Sequence, residues 1–292
     1  MGLGEVLWDL LPSGRQLGGA PTNFAYISTL LGDRGEIASR VGNDNLGNVA
    51  IQRLTALGVD SSYVQRDASH PTGTVKVQVN RRGQPRFTIR EHVAWDFLRW
   101  TENWKQLARR ADAVCFGTLA QRSGDSRKTI AQFLRSTRAI RVFDVNLRQG
   151  FFSDDVLHQS IPMATIVKMN DDELPVVLKL LGRKSRNAEL AAKQLLEFGP
   201  KLICVTRGHR GSLLFTRRAL AEHPGFRVRV RDTIGAGDAF TAALVHAYLR
   251  GASLEKMNDA ANRMGSWVAS QAGGTPMIGK KELRRSLAEL RV

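Results

Sequence analysis

Short apolar runs, too brief for helices, recur along this chain with amphipathic segments between them, and that alternation limits its fold more than any other feature. Val114–Gly117, Ile140–Val145, Ile166–Met169, and Leu202–Val205 with Leu213–Phe215 read as strands buried on both faces. Between them, Arg127–Thr137 places Ile130, Phe133 and Leu134 on one helical face, and Asn187–Phe198 turns Leu190, Leu195 and Leu196 inward. Thr22–Leu31 and Leu46–Leu57 read as two further helices, the second stopped by Gly58. Ala236–Leu249 and Leu254–Ala269 are long helices in the C-terminal part. Strand–helix–strand repetition of this kind predicts an α/β fold, with a mostly parallel sheet covered on both sides by helices.

Residues 71–100 break the pattern. Thr74–Asn80 alternates apolar with polar residues, Arg81-Arg82-Gly83 makes a turn, and Pro85–Arg90 alternates again. That is an antiparallel hairpin with one wet face, and such an insertion in an α/β chain reads as a lid or an interface.

Charge enters next, because 43 Lys plus Arg stand against 27 Asp plus Glu, a formal +16. A polyanion partner is one reading of so basic a chain. The placement argues against it: Arg81–Arg82, Arg109–Arg110, Arg217–Arg218 and Arg284–Arg285 are scattered pairs, and no basic run carries interleaved aromatics. Only Arg227, Arg229 and Arg231 alternate, which on a strand would put them on one side. Nucleic acid is therefore not expected as the main partner. Two cysteines inside apolar runs, Cys115 and Cys204, exclude a disulfide scaffold, and no apolar stretch is long enough to span a membrane. The expected location is the cytoplasm.

Two segments carry chemistry. In Asp232-Thr233-Ile234-Gly235-Ala236-Gly237-Asp238, small residues open a helix, so the amides of Gly235, Ala236 and Gly237 form an anion site. Asp238 stands in the first turn beside it, where a carboxylate has a task if it accepts a proton from a hydroxyl while a phosphoryl group arrives. A plain helix cap explains Asp238 but not the small triplet. Gly18-Gly19-Ala20-Pro21-Thr22-Asn23 is the second helix opening, after a strand carrying Glu5 and Asp9 whose carboxylates suit sugar hydroxyls. There is no P-loop, protein-kinase or dinucleotide motif, and the six histidines lack metal-ligand spacing.

Together these segments resemble the ribokinase-like sugar kinases, bacterial fructokinases above all. The resemblance runs through Gly42-Asn43-Asp44, Asp144-Val145-Asn146-Leu147-Arg148, Asn170-Asp171-Asp172-Glu173, Thr206-Arg207-Gly208 with Gly211, Ala261-Asn262 and Gly273-Gly274-Thr275-Pro276. It implies a three-layer α/β/α sandwich over residues 1–292 as one catalytic domain, with a small β-sheet lid from about 10–18 and 71–100. It implies ATP-dependent phosphorylation of a sugar's primary hydroxyl, fructose to fructose 6-phosphate first. A 2-keto-3-deoxygluconate, ribose or nucleoside kinase is the alternative within the family, and a catalytically idle regulator the alternative outside it.

By the same resemblance Asp238 is the general base, and Gly235, Ala236 and Gly237 form the hole for the transferring phosphoryl. Asp9, Gly19 and Asn23 hold the sugar, with Arg90, Gln121 and Arg148 beside them. Asn170, Glu173, Thr206, Gly208, Gly211 and Asn262 bind ATP, with Glu173 holding Mg2+ through water. The backbone carbonyls at Asp232 and Ile234 offer a place for K+. The lid implies a homodimer. The loop Arg90-Glu91-His92-Val93-Ala94-Trp95-Asp96 departs from the family's Arg-Asn-Pro-Ser-Ala-Asp pattern, which bears on the sugar rather than the reaction. The first strand, starting almost at Gly4-Glu5, is short for the family, so a few N-terminal residues are expected to be missing.

Overall fold

Every apolar run named above becomes a strand of one sheet in the computed structural model, which describes residues 1–11, 14–79, 85–185 and 187–290. The turn at Arg81-Arg82-Gly83, and the arginine pair in it, lie outside the described residues. The large sheet is built from β1 (Gly2–Leu3), β4 (Ile37–Gly42), β5 (Val64–Asp67), β8 (Ala113–Gly117), β9 (Ile140–Asp144), β10 (Ile166–Asn170), β11 (Leu202–Thr206), β12 (Ser212–Phe215) and β13 (Leu220–His223). Their order is β13-β12-β11-β10-β9-β8-β1-β4-β5, parallel throughout except for β12, which pairs antiparallel with both β11 and the edge strand β13.

Period-two alternation splits the core. Phe116, Phe143, Val167, Met169 and Val205 pack on one face, against α3 (Glu102–Arg110), α4 (Gly124–Ser136), α5 (Asp154–Met163), α6 (Glu173–Leu180) and α7 (Ala188–Glu197). Cys115, Val142, Ile166, Leu202 and Cys204 pack on the other face, against α1 (Ala20–Leu31), α2 (Asn45–Ala56), α8 (Ala236–Leu249) and α9 (Leu254–Ala269). A last helix, α10 (Lys280–Glu289), packs on α9. Both cysteines are free and buried, and no helix among the described residues is long and apolar enough to cross a membrane.

A second, four-stranded sheet in the order β3-β2-β6-β7 joins β2 (Leu7–Leu11), β3 (Gly14–Gly18), β6 (Gly73–Val79) and β7 (Pro85–Ile89). The expected hairpin is β6–β7, and β6 also pairs in parallel with β2. Residues 90–100 leave this sheet instead of belonging to it as expected. They turn through a 3-10 segment, Ala94–Phe97, that Arg122 fastens to the large sheet's side of the molecule. The Arg122 guanidinium pairs with Asp96 at 2.8 Å, donates to the Arg90 carbonyl at 2.6 Å, and stacks between the Trp95 and Phe151 rings.

Three expectations are corrected. Glu5 is not on a strand with Asp9, because Gly4 at φ +146° breaks the chain between β1 and β2. Arg227, Arg229 and Arg231 do not alternate on a strand, because the chain between β13 and α8 pairs with no strand among the described residues. Leu190 points outward at 55% exposure, since Ala191, Ala192, Leu195 and Leu196 supply the buried face of α7. Replacing Leu190 by lysine should therefore change unfolding free energy by no more than ~0.5 kcal/mol. Leu195→Ala should cost about 2–5 kcal/mol in the same urea titration.

Candidate active site

The C-terminal ends of β9, β10 and β11 point toward the first turn of α8, and the small sheet stands over the same end. Helix α8 starts at Gly235, whose φ of 75° puts it in the left-handed region and whose Cα–Cβ direction is filled by Gly274. No side chain caps this helix. Of the three amides expected to form an anion site, that of Ala236 already donates, at a long 3.3 Å, to the Thr233 carbonyl. A cavity of about 860 Å³ opens beside Ala236 and Gly237 and brings them together with Thr206, Gly208, Gly211 and Asn262. Those six sequence-predicted residues thus share one space. Asn262 is held there by donating to Ser212 Oγ at 2.8 Å and to the Asn258 carbonyl at 2.8 Å.

Asp238 lies on the other side of the helix start. Asn23 Nδ2 donates to its Oδ2 at 2.8 Å, tying α1 to α8, and a Cβ on Gly274 would fall 2.8 Å from the same amide nitrogen. The sequence's two glycine-rich helix starts and its Gly273-Gly274 loop therefore meet at one carboxylate. Desolvation first and the negative charge of Asp144 second push the Asp238 carboxyl up to about 6, against the pull of Asn23, Lys168 and Arg148. Asp9, on β2, is also pushed up to about 6 by burial. A Cβ on Gly18 would clash with Asp9 Oδ2, so a side chain there would displace the carboxylate. Arg148 is exposed, makes no ion pair among the described residues, and still bears electrostatically on Glu5, Asp9 and Asp238. It rides on a loop in which Asn146 and Gln149 adopt positive φ of 42° and 51°.

Gln121 and Arg90 are placed differently. Gln121 is buried and its amide nitrogen is committed to the Gly117 carbonyl at 2.8 Å and Ser160 Oγ at 3.1 Å. Arg90 offers its carbonyl to Arg122, and its own side chain is exposed.

Asn170 and Glu173 cap α6 reciprocally: Asn170 Oδ1 accepts from Glu173 N at 2.7 Å, and Glu173 Oε2 accepts from Asn170 N at 2.9 Å. Glu173 Oε1 accepts from Leu147 N at 2.8 Å. Each oxygen keeps a second lone pair, and no group of three or more His, Cys, Asp or Glu among the described residues is arranged to hold a metal. That donor set fits a hard cation drawing most of its ligands from phosphate and water. Asp232 accepts from Ile234 N and Gly273 N at 3.0 Å each, fastening the turn before α8 to the Gly273 loop.

The sequence reading missed the group beneath this site. Lys168 and Asp144, on neighbouring strands, both point toward α8, with Lys168 Nζ donating to both Asp144 oxygens at 3.0 and 3.1 Å. Thr241 Oγ1 donates to Asp144 Oδ2 at 2.9 Å, and a Cβ on Gly237 would come within 3.0 Å of Lys168 Nζ. The signal was a lysine inside Ile166–Met169, an otherwise apolar run. Glu5 is the other surprise: its Oε1 accepts from Ala20 N at 3.2 Å, and its Oε2 is buried without a partner. Burial pushes its carboxyl up to about 7. Because that folded value exceeds the unfolded one, the contribution of Glu5 to stability is lost as pH rises from about 4.5 through 7. Glu5→Gln should match wild type in unfolding free energy at pH 4 and exceed it by about 1–3 kcal/mol at pH 8, measured by denaturant titration at both.

The pfkB family carbohydrate kinase profile matches residues 14–280 of the chain. The uncharacterized sugar kinase PH1459 of Pyrococcus horikoshii is 30% identical over 277 residues, 91% of this chain and 84% of that protein. A fructokinase of Escherichia coli is 31% identical over 261 residues, 83% of this chain and 82% of its own length. The crystal structure of PH1459 in complex with ATP superposes with a TM-score of 0.83 at 28% identity, covering 99% of this chain and 98% of that one. A fructokinase of Xylella fastidiosa with bound ATP shares the fold at a TM-score of 0.86, covering 98% and 97%.

Proposed function

Since the chain belongs to the pfkB family of carbohydrate kinases, we propose that it transfers the γ-phosphoryl of ATP to a primary hydroxyl of a sugar, D-fructose first, giving fructose 6-phosphate. The observation that carries this reading is the position of Asp238. It is held by Asn23 at the uncapped start of α8, one residue past the small residues that border the large cavity. The named fructokinases among its relatives, that of Escherichia coli included, support fructose.

ATP occupies the cavity beside β11, its base toward Asn262 and its phosphates toward Ala236 and Gly237. Sugar lies under the small sheet, with Asp9, Gly19 and Asn23 holding its hydroxyls. Asp238 accepts the proton of the attacking hydroxyl as oxygen bonds to phosphorus and the bond to ADP breaks. The first-turn amides of α8 and the helix dipole stabilise the charge that collects on the phosphoryl oxygens. Asn170 and Glu173 would hold magnesium through water; when bound, it supplies charge neutralisation on the triphosphate. The small sheet acts as the lid, shedding the water that competes with sugar as acceptor. Arg148, exposed and without an ion pair among the described residues, bears on Asp9 and favours one second substrate, 2-keto-3-deoxygluconate, whose carboxylate it would pair.

A steady-state assay with Mg-ATP over a sugar panel tests the reading. Turnover is expected on fructose or the keto-acid sugar, with Asp238→Asn lowering kcat by about 10²–10⁴. Equal rates for wild type and Asp238→Asn on every sugar would sink it. Because the base works only when ionised, kcat/KM should be flat above neutral pH and fall about tenfold per unit below pH 6, the value to which burial raises Asp238. A profile that stays flat down to pH 5 would assign the proton to another group.

A further inference from the structure

A second cavity, of about 710 Å³, shares no lining residue with the one beside β11. It opens at the opposite side of the sheet, between the ends of β4 and β5, the 97–100 loop and the first turns of α4. Four cationic side chains line it, Arg40, Arg66, Arg99 and Lys128, against the carboxylates of Asp67 and Asp125.

The charges do not cancel. Asp67 is buried and used up locally, ion-paired with Arg40, whose Nε lies 2.9 Å away, and accepting from Ser69 N at 2.8 Å and His70 N at 3.0 Å. Arg66 donates to the Gly42 carbonyl and the Asn48 amide oxygen, neutral acceptors that leave its charge in place. Arg99 and Lys128 are exposed and make no ion pair among the described residues. Like charges gathered around one space repel, and a bound anion relieves that repulsion.

The walls are also fixed in advance. Arg99 N donates to Gln65 Oε1 at 3.0 Å while Gln65 Nε2 returns to the Arg99 carbonyl at 2.6 Å. Arg40 Nη1 donates to the Phe97 carbonyl at 2.6 Å, and the His70 and Phe97 rings stack with centroids 3.6 Å apart. A site whose backbone is already ordered loses little entropy on binding. Its volume lies in the range of small-molecule sites.

We propose that this cleft binds a small phosphorylated metabolite, its phosphate held by Arg66, Arg99 and Lys128, at a site separate from phosphoryl transfer. The shared chemistry is the phosphate dianion, so the probes are inorganic phosphate and fructose 1,6-bisphosphate. Calorimetric titration of each into the full chain, with the cavity beside β11 filled by Mg2+ and a non-hydrolysable ATP analogue, is expected to show one equivalent bound. Affinity should weaken with added salt. Binding of both probes marks a phosphate site as such, and binding of the bisphosphate alone marks a sugar phosphate site. The Arg99→Ala/Lys128→Ala double variant alters only exposed side chains, so it should fold and keep its kinase rate while losing at least about tenfold in affinity. No heat with either probe at 10 mM, or binding that the double variant leaves unchanged, overturns the proposal.

Discussion

The buried ammonium of Lys168 is what the rest of the site leans on. An ammonium taken out of water is costly unless it is paired, and Asp144 meets it with both oxygens. Desolvation pulls the Lys168 ammonium toward its neutral form; the charges of Asp144, Glu173 and Asp238 outweigh it and keep the group cationic. Thr241 closes the group by bonding Asp144 and, back along its own helix, the Gly237 carbonyl. Three elements, β9, β10 and α8, are thereby fixed at the point where a phosphate would be received. A Cβ at position 237 would crowd the lysine, falling 3.0 Å from its Nζ. The helix start thus has the positive end of its own dipole, with the paired Lys168 and Asp144 directly beneath it.

This arrangement explains which parts of the molecule were legible in the sequence. Strand–helix alternation was visible because burial on both sheet faces demands unbroken apolar runs, and the long helices Ala236–Leu249 and Leu254–Ala269 have the predicted bounds. The two glycine-rich openings were legible because close backbone approach leaves a residue-type signature. What the sequence could not display is charge folded inward. Nothing local in the sequence marks Lys168 or Arg122 as a buried, paired cation. The pairing of Arg122 with Asp96, 26 positions away, is made by tertiary folding alone. Leu190 failed for the opposite reason, since neighbouring alanines let α7 pack closely without it.

The small sheet shows how local rules and tertiary context divide the work. Alternation in β6 and β7 was enough to predict a hairpin. Nothing local says that β6 will pair with β2, or that Asp9 will come within electrostatic reach of Asp232, just before α8. The break at Gly4 makes both possible, sending one side of the N-terminal segment into the large sheet and the other into the small one.

Three carboxylates, those of Glu5, Asp9 and Asp238, converge near α8, with Arg148 the one cation common to all three electrostatically. Burial lifts each of them, most of all Glu5, so the cluster need not hold three negative charges at neutral pH. A protonated Glu5 lessens repulsion on Asp238, leaving that group free to ionise near the pH at which it would act as a base. Asn23 then serves both states of Asp238, since an amide donor pairs with an ionised or a protonated oxygen alike. The Lys168 ammonium favours the ionised form of Asp238, and it would favour an anion received at the start of α8 as well. Removing that one positive charge would raise the energy of both negative ones together, which ties the start of α8 and the Asp238 carboxylate into one electrostatic unit.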